Sequence, residues 1–307
     1  MKNQSQQKPL FGIDLGGTKI EGIVLAGAGS TETLARLRLP TEPEKGYTHI
    51  VHQIGRIVDQ LTLETGIKAE SIGICTPGTV DPGSGLHKNS NTTCLNGMPF
   101  RSDLERKLGI RVAMANDANC FALAEATLGI VPKEAPDAKM VFGIIMGTGV
   151  GGGLVMEGKV WNGAHGIGGE WGHNFLNETG GPCYCGKSGC VEKVISGPAL
   201  EQFYLQKNGQ ALKLSEIYKA HQKGGNPFAT ETINRLIDQF GKAVSVLVNI
   251  LDPDVIVVGG GVGNIDLLYS SGRDAIAKNI FNPDFKTILL KPSLGDSAGV
   301  FGAAMLV

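Results

Sequence analysis

Cys183, Cys185 and Cys190 crowd into one short stretch, and His173 stands a little ahead of them. Three thiols and an imidazole at this spacing suit a tetrahedral Zn2+, and with all four positions taken by protein the site is closed and structural. Three cysteines cannot all pair within one chain, so a disulfide explains the cluster less well. A zinc held there would also fix Glu170 and Glu192, which flank the ligands. Two pre-positioned carboxylates accept hydrogen bonds from the hydroxyls of a polyol. The plainer reading of both is a solvated surface charge, the usual fate of glutamate.

Two glycine turns carry a second kind of chemistry. Asp14-Leu15-Gly16-Gly17-Thr18-Lys19 brings together a carboxylate, a turn, a hydroxyl and a cation. Glycines let backbone N–H groups converge on phosphate oxygens, Thr18 adds a donor, and Asp14 can hold hydrated Mg2+. An ordinary hairpin turn with a solvated Lys19 is the alternative. Gly147-Thr148-Gly149-Val150-Gly151-Gly152-Gly153 satisfies G-x-G-x-x-G, but an apolar strand follows it rather than a helix, which argues against a dinucleotide site. Gly259-Gly260-Gly261, after a short β-branched strand, offers a third place of close approach, suited to a nucleoside.

Asn116-Asp117 falls where a strand ends and a helix begins, the position at which open α/β sheets bind ligands. A carboxylate there can take the proton of a hydroxyl that attacks a phosphoryl group. It can equally cap the helix N-terminus. Spacing leaves both readings open.

The elements that must position these residues can be read from periodicity. Apolar runs at Phe11–Ile13 and Ile20–Leu25 predict two strands joined by the first glycine turn. Ile50, Val51, Ile54, Ile57, Val58 and Leu61 recur at helical spacing over Tyr47–Thr65, and Gly66 ends that helix. Ser71–Thr76 and Arg111–Ala115 are strands, and Ala118–Leu128 is a helix. Ser102-Asp103-Leu104-Glu105 predicts a capping box ahead of a helix closed by Gly109. Met140–Met146 and Leu154–Met156 bracket the second glycine turn. The longest helix runs from about Phe228 to Leu251, Asp254–Val258 is a strand, and Ser297–Leu306 a last helix of small residues. The chain is α/β, and its two halves open with the same strand–turn–strand device, which suggests an internal duplication.

Composition narrows the partners. The 307 residues suit two domains. A net charge of -1, from 28 basic and 29 acidic residues, gives no basic block to track nucleic acid. No apolar stretch is long enough to span a bilayer, and Met1–Gln7 lacks the apolar core of a secretory signal, so the expectation is a cytoplasmic protein. Cys75, Cys94 and Cys120 are scattered and read as small buried residues.

Taken together, these motifs resemble the ROK family of bacterial sugar kinases and sugar-responsive repressors, over essentially the whole chain. The likeness runs through Gly12–Lys19, Asn116–Cys120, Gly147–Gly151, Glu170–His173, Cys183–Glu192, Pro253-Asp254 with Gly259–Gly261, and Gly295–Gly299. The resemblance implies the actin-like ATPase (ribonuclease H-like) fold, two α/β domains around a cleft. The smaller would hold residues 1–117 with 296–307 returning to it, and the larger, 118–295, would carry the zinc motif. It implies Asp117 as catalytic base. Asn116, Asp117, Glu170, His173 and Glu192 would contact the sugar, with Gly78, Thr79 and Asn91 completing the pocket, and His173 would bind zinc through its other ring nitrogen. Asp14, Gly16, Gly17, Thr18, Lys19, Gly147, Thr148, Gly149, Gly259, Gly260 and Gly261 would serve the nucleotide. Mg2+ with ATP, structural Zn2+ and a homodimer complete what the family implies.

Within the family, Lys88–Asn91, Leu95–Phe100 and Pro182–Lys187 look most like bacterial fructokinases that also accept mannose. Asn119–Leu123 and Gly151–Leu154 look like N-acetylglucosamine kinases. The expectation is phosphorylation of a hexose 6-hydroxyl, with fructose first and N-acetylglucosamine or glucose as alternatives. A sugar-sensing repressor would carry a DNA-binding domain ahead of Asp14, and the 13 residues there are too few for one. A filament-forming actin relative would leave the zinc cluster unexplained.

Overall fold

The computed structural model describes residues 8–307; the polar stretch Met1–Gln7 lies outside the described residues. Two five-stranded sheets organise it. The first is built from β1 (Leu10–Leu15), β2 (Lys19–Leu25), β3 (Thr33–Pro40), β4 (Ser71–Thr76) and β5 (Arg111–Asn116), in the order β3-β2-β1-β4-β5. The second uses β6 (Met140–Met146), β7 (Val150–Met156), β8 (Lys159–Val160), β9 (Val255–Gly259) and β10 (Ile288–Leu290), in the order β8-β7-β6-β9-β10. Numbered within each half, both orders read third, second, first, fourth, fifth. The repeated opening device in the sequence therefore belongs to a repeated sheet.

In the first sheet β1 and β2 form the antiparallel hairpin, while β4 lies parallel to β1 and β5 parallel to β4. The three parallel strands are apolar in near-continuous runs because helices cover them. Helix Tyr47–Thr65 buries Ile50, Ile54, Ile57 and Leu61 and stops at Gly66, whose φ of 70° lets its N–H reach Thr62 O at 2.8 Å. With Ile13, Ile20, Ile72, Ile74 and Phe100 these residues form the core of this part. The closing helix, Ala298–Ala304, packs on β1 and on helix Asp117–Thr127. Gly302 permits that contact, since a Cβ there would sit 1.8 Å from Cys120 O.

The element expectations hold within a residue or two, with two differences. The helix near Ser102 begins at Phe100, with Pro99 as its N-cap and no side-chain cap. Ser102 Oγ donates to Pro99 O, and Glu105 accepts the Val112 N–H at 3.2 Å instead of closing a box. Burial of Phe100 draws the helix start upstream. The strand after the second glycine turn begins at Val150 rather than Leu154, so Gly151–Gly153 are extended backbone.

The chain separates into two compact units. One holds everything up to Pro136 with Gly153–Gly168 and Ser293–Val307; the other holds Asp137–Gly152 and Gly169–Pro292. No helix among the described residues is long and apolar enough to cross a membrane.

Candidate functional site

In the first unit, parallel pairing aligns the carboxyl ends of β1, β4 and β5. Asp14 lies opposite Cys75, and Thr76 opposite Asn116. Asn116 is the cap of the following helix, its Oδ1 accepting the Asn119 N–H at 2.8 Å. Asp117, the first helical residue, accepts the Ala118 N–H on Oδ1 at 2.9 Å, so both residues satisfy first-turn donors while the amide is the N-cap. The two readings of this pair are therefore not exclusive.

Asp117 is exposed at the surface, yet the protein packed about it partly desolvates its carboxylate. That desolvation raises its pKa above the ordinary aspartate value, against the lowering effect of the backbone N–H bonds. Asp14, half-buried, is raised too. Burial is the main cause, a hydrogen bond from Cys75 opposes it, the charges of Glu21 and Asp117 add to it, and Lys19 opposes. Asp14 and Asp117 are therefore near enough to repel.

The first glycine turn is pinned at its base, with Gly16 N–H donating to Lys19 O and Thr41 Oγ1 to Gly16 O at 2.6 Å. Gly17, Thr18 and Lys19 are exposed. Lys19 Nζ lies 3.6 Å from Glu21, which is buried and also bonded by Arg36 and Arg38. Burial alone would raise the Glu21 pKa, but the bonds from Arg38 and Arg36 outweigh it and hold the carboxyl below its usual range. Sequence reading passed over Glu21; a lone carboxylate inside the apolar run Ile20–Leu25 was its signal.

The loop after β4 places Gly78 at φ 79°, where a Cβ would meet Lys88 O at 2.4 Å. Thr79 and Val80 pair with His87 and Lys88, and the His87 ring bonds Pro77 O at 2.8 Å. Asn91 lines a cavity of about 480 Å3 with Gly17, Pro43, Glu44, Thr92, Thr93 and Cys94. One end of the phosphate turn and one expected sugar ligand thus share this hollow of the first unit.

In the second unit the turn Gly147–Gly149 joins β6 to β7, and Gly260, at φ 80°, comes against Met146 O at the end of β6. Both glycine clusters therefore converge at one edge of this sheet. Glu192 reaches the same turn: its Oε2 accepts the Val150 N–H at 3.0 Å. A Cβ on Gly149 would lie 2.6 Å from that oxygen, so Gly149 is explained by the glutamate it faces.

His173 and the three cysteines bring their ligand atoms within 4.8 Å of one another. Cys185 Sγ lies 3.6 Å from Cys190 Sγ, far beyond a disulfide bond, and Cys183 Sγ lies 3.7 Å from His173 Nδ1. Bonds of about 2.3 Å to sulfur and 2.0 Å to nitrogen set donor–donor edges of about 3.6–3.8 Å around Zn2+. The donor set fits that ion. Backbone bonds hold the loop, with Cys183 N–H on Lys187 O and Gly189 N–H on Gly181 O. Val191 N–H on Asn174 O ties the histidine segment to the cysteine segment.

The two glutamates flank the cluster in the chain. Glu170 precedes the short 3-10 turn Trp171–His173, and Glu192 stands in the first turn of helix Val191–Ile195, directly after Cys190. The free nitrogen of His173 is not bare: Nε2 bonds Tyr184 Oη at 2.9 Å, and the two rings meet edge-on at 5.1 Å. Tyr184 carried no motif signal of its own beyond lying between two cysteine ligands.

Comparison with known proteins bears on the family and the fold. The model of the ROK family matches residues 10–307. The N-acetyl-D-glucosamine kinase of Aliivibrio fischeri is 35% identical over 306 residues, covering 96% of this chain and 98% of that protein. The solved ROK hexokinase of Thermus thermophilus superposes with a TM-score of 0.85 at 32% identity, covering 98% of each chain. A ROK glucokinase of Streptomyces griseus, solved with glucose and AMPPNP, gives 0.73 at 27% identity, over 98% of this chain and 99% of that one. With its family motifs carried at the carboxyl ends of two like sheets and matched from end to end, the chain belongs to the ROK family.

Proposed function

We propose that this chain is an ATP-dependent sugar kinase that passes the γ-phosphoryl group of Mg-ATP to a hexose hydroxyl. The observation that most supports this is Asp117: an exposed carboxylate of raised pKa at the carboxyl end of β5, beside Asn116, the N-cap of the following helix. In that role it orients the sugar hydroxyl and accepts its proton as the hydroxyl attacks phosphorus. Asn116, Glu170, His173 and Glu192 take the remaining sugar hydroxyls, with Gly78, Thr79 and Asn91 beside them. The turns at Gly16-Gly17 and Gly147–Gly149 offer N–H donors to phosphate oxygens, and Gly259–Gly261 receives the nucleoside. Asp14 holds the hydrated cation, which when bound neutralises charge on the transferred group. Zn2+ on His173, Cys183, Cys185 and Cys190 is structural.

For the sugar, we place N-acetylglucosamine first. The curated relatives at 35–36% identity carry that kinase's name, whereas the expectation of fructose rests on short loop likenesses alone. A coupled ADP-release assay across N-acetylglucosamine, glucose, fructose, mannose and N-acetylmannosamine tests both levels. Turnover is expected, with the highest kcat/KM on N-acetylglucosamine. A higher value on fructose would reinstate the first expectation, and no turnover on any would defeat the kinase reading.

A further inference from the structure

Tyr184 occupies an unusual position. Its backbone is pinned on both sides by cysteines of the candidate metal cluster, while its side chain is 83% exposed. Apart from the ring contact, its anchor is one hydrogen bond, from Oη to His173 Nε2 at 2.9 Å. Nδ1 faces the thiol cluster, and a metal held there would leave the proton on Nε2, which would then donate. The phenol oxygen therefore accepts, as a sugar hydroxyl would. Glu170 and Glu192 bear the charges that surround this phenol from the same unit.

We propose that Tyr184 gates the sugar subsite of the second unit: its hydroxyl holds the His173 Nε2–H until a sugar hydroxyl displaces it. The inference rests on the sugar-kinase reading and deepens it. An exposed side chain on a fixed backbone can turn away by a rotamer change alone, on a timescale far shorter than turnover. The gate keeps the imidazole oriented and its donor satisfied in the empty protein. Its consequence is that sugar binding must give up one protein hydrogen bond for each one gained at Nε2.

The test compares Tyr184→Phe with the wild type, both zinc-loaded and full-length, by titration calorimetry with N-acetylglucosamine and glucose in the absence of nucleotide. Phenylalanine keeps the ring and removes the competing oxygen. The expected result is about two- to tenfold tighter sugar binding, the factor one neutral hydrogen bond confers, with unchanged zinc content. With monodeoxy analogues of glucose, the gain should vanish for the analogue that lacks the displacing hydroxyl. Equal or weaker binding in a zinc-replete Tyr184→Phe protein would overturn the gate and leave the kinase reading standing. A wild type that binds none of the sugars of the assay panel, fructose and mannose included, would overturn both.

Discussion

At Asp117 the chemistry depends on which oxygen is left to do it. Because Asn116 supplies the helix cap, Asp117→Asn should leave the helix intact and remove only the proton acceptor. We expect kcat to fall by about 100- to 10,000-fold with sugar affinity within a few-fold of wild type, read by single-turnover kinetics and calorimetry side by side. The pH dependence follows from the same environment. A base must be deprotonated to act, and desolvation raises the Asp117 pKa. Activity is therefore full above that raised value and is lost as pH falls through it. The acid limb of kcat/KM should lie above the ordinary aspartate value of about 3.9. A limb at or below the ordinary value would contradict the raised carboxylate. The candidate base and the Cys/His cluster could be singled out in the sequence because each stands in a dense local motif. Glu21 and Tyr184 were not, because their partners, Arg36, Arg38 and the His173 ring, are supplied by the fold rather than by neighbours in the chain.

Among the elements, helix Asp117–Thr127 must be held still for its first residue to work, and Glu125 does much of the holding. This carboxylate is 0% exposed and accepts N–H groups from Ile130, Ser293 and Leu294 at 2.9–3.1 Å. It thus staples the helix to the strand-to-helix passage that leads into Ala298–Ala304, with both ends inside the first unit. Glu125→Ala would take the acceptor from three part-buried N–H donors and leave a hole. A loss of about 1–3 kcal/mol is expected from the lost hydrogen bonds, read as a lower denaturant midpoint at unchanged slope. Glu125→Gln, which keeps one acceptor oxygen, should lose less. Equal stability of the alanine variant would show that water replaces the carboxylate. No spacing rule pointed to Glu125: a glutamate within a helix looks like surface until the segment that covers it, far along the chain, is in place. Helix and strand existence was legible because apolar periodicity records burial directly, as in Ile50–Leu61. The helix at Phe100 shows the limit, since a local cap pattern yielded to one buried aromatic ring.

At the scale of the whole molecule, one strand order is used twice and each copy carries its own part of the chemistry. The first copy brings Asp14 and Asp117 and has no thiolate cluster among the described residues. In the second, the carboxylates Glu170 and Glu192 owe their positions to a segment that has almost no regular structure. Gly169–Cys190 contains only 3-10 turns and isolated bridges, and its buried apolar residues are few beside the cysteines themselves. Such a segment cannot offset the entropy of ordering by apolar burial alone, so a metal held by the four donors is expected to supply part of the difference. Removing the metal with a chelator should therefore act regionally. Hydrogen exchange should accelerate across residues 169–195 and stay unchanged in β1, β4 and β5, while sugar affinity falls by more than tenfold. Cys185→Ser, which removes the exposed ligand and little packing, should reproduce the effect without chelator. Zinc analysis fixes the cause: one ion per chain lost together with protection in 169–195 ties the glutamates to the metal. A chelated protein that keeps its exchange pattern and its sugar affinity would mean the four ligands hold their places through backbone bonds such as Cys183 N–H to Lys187 O, with the ion adding nothing.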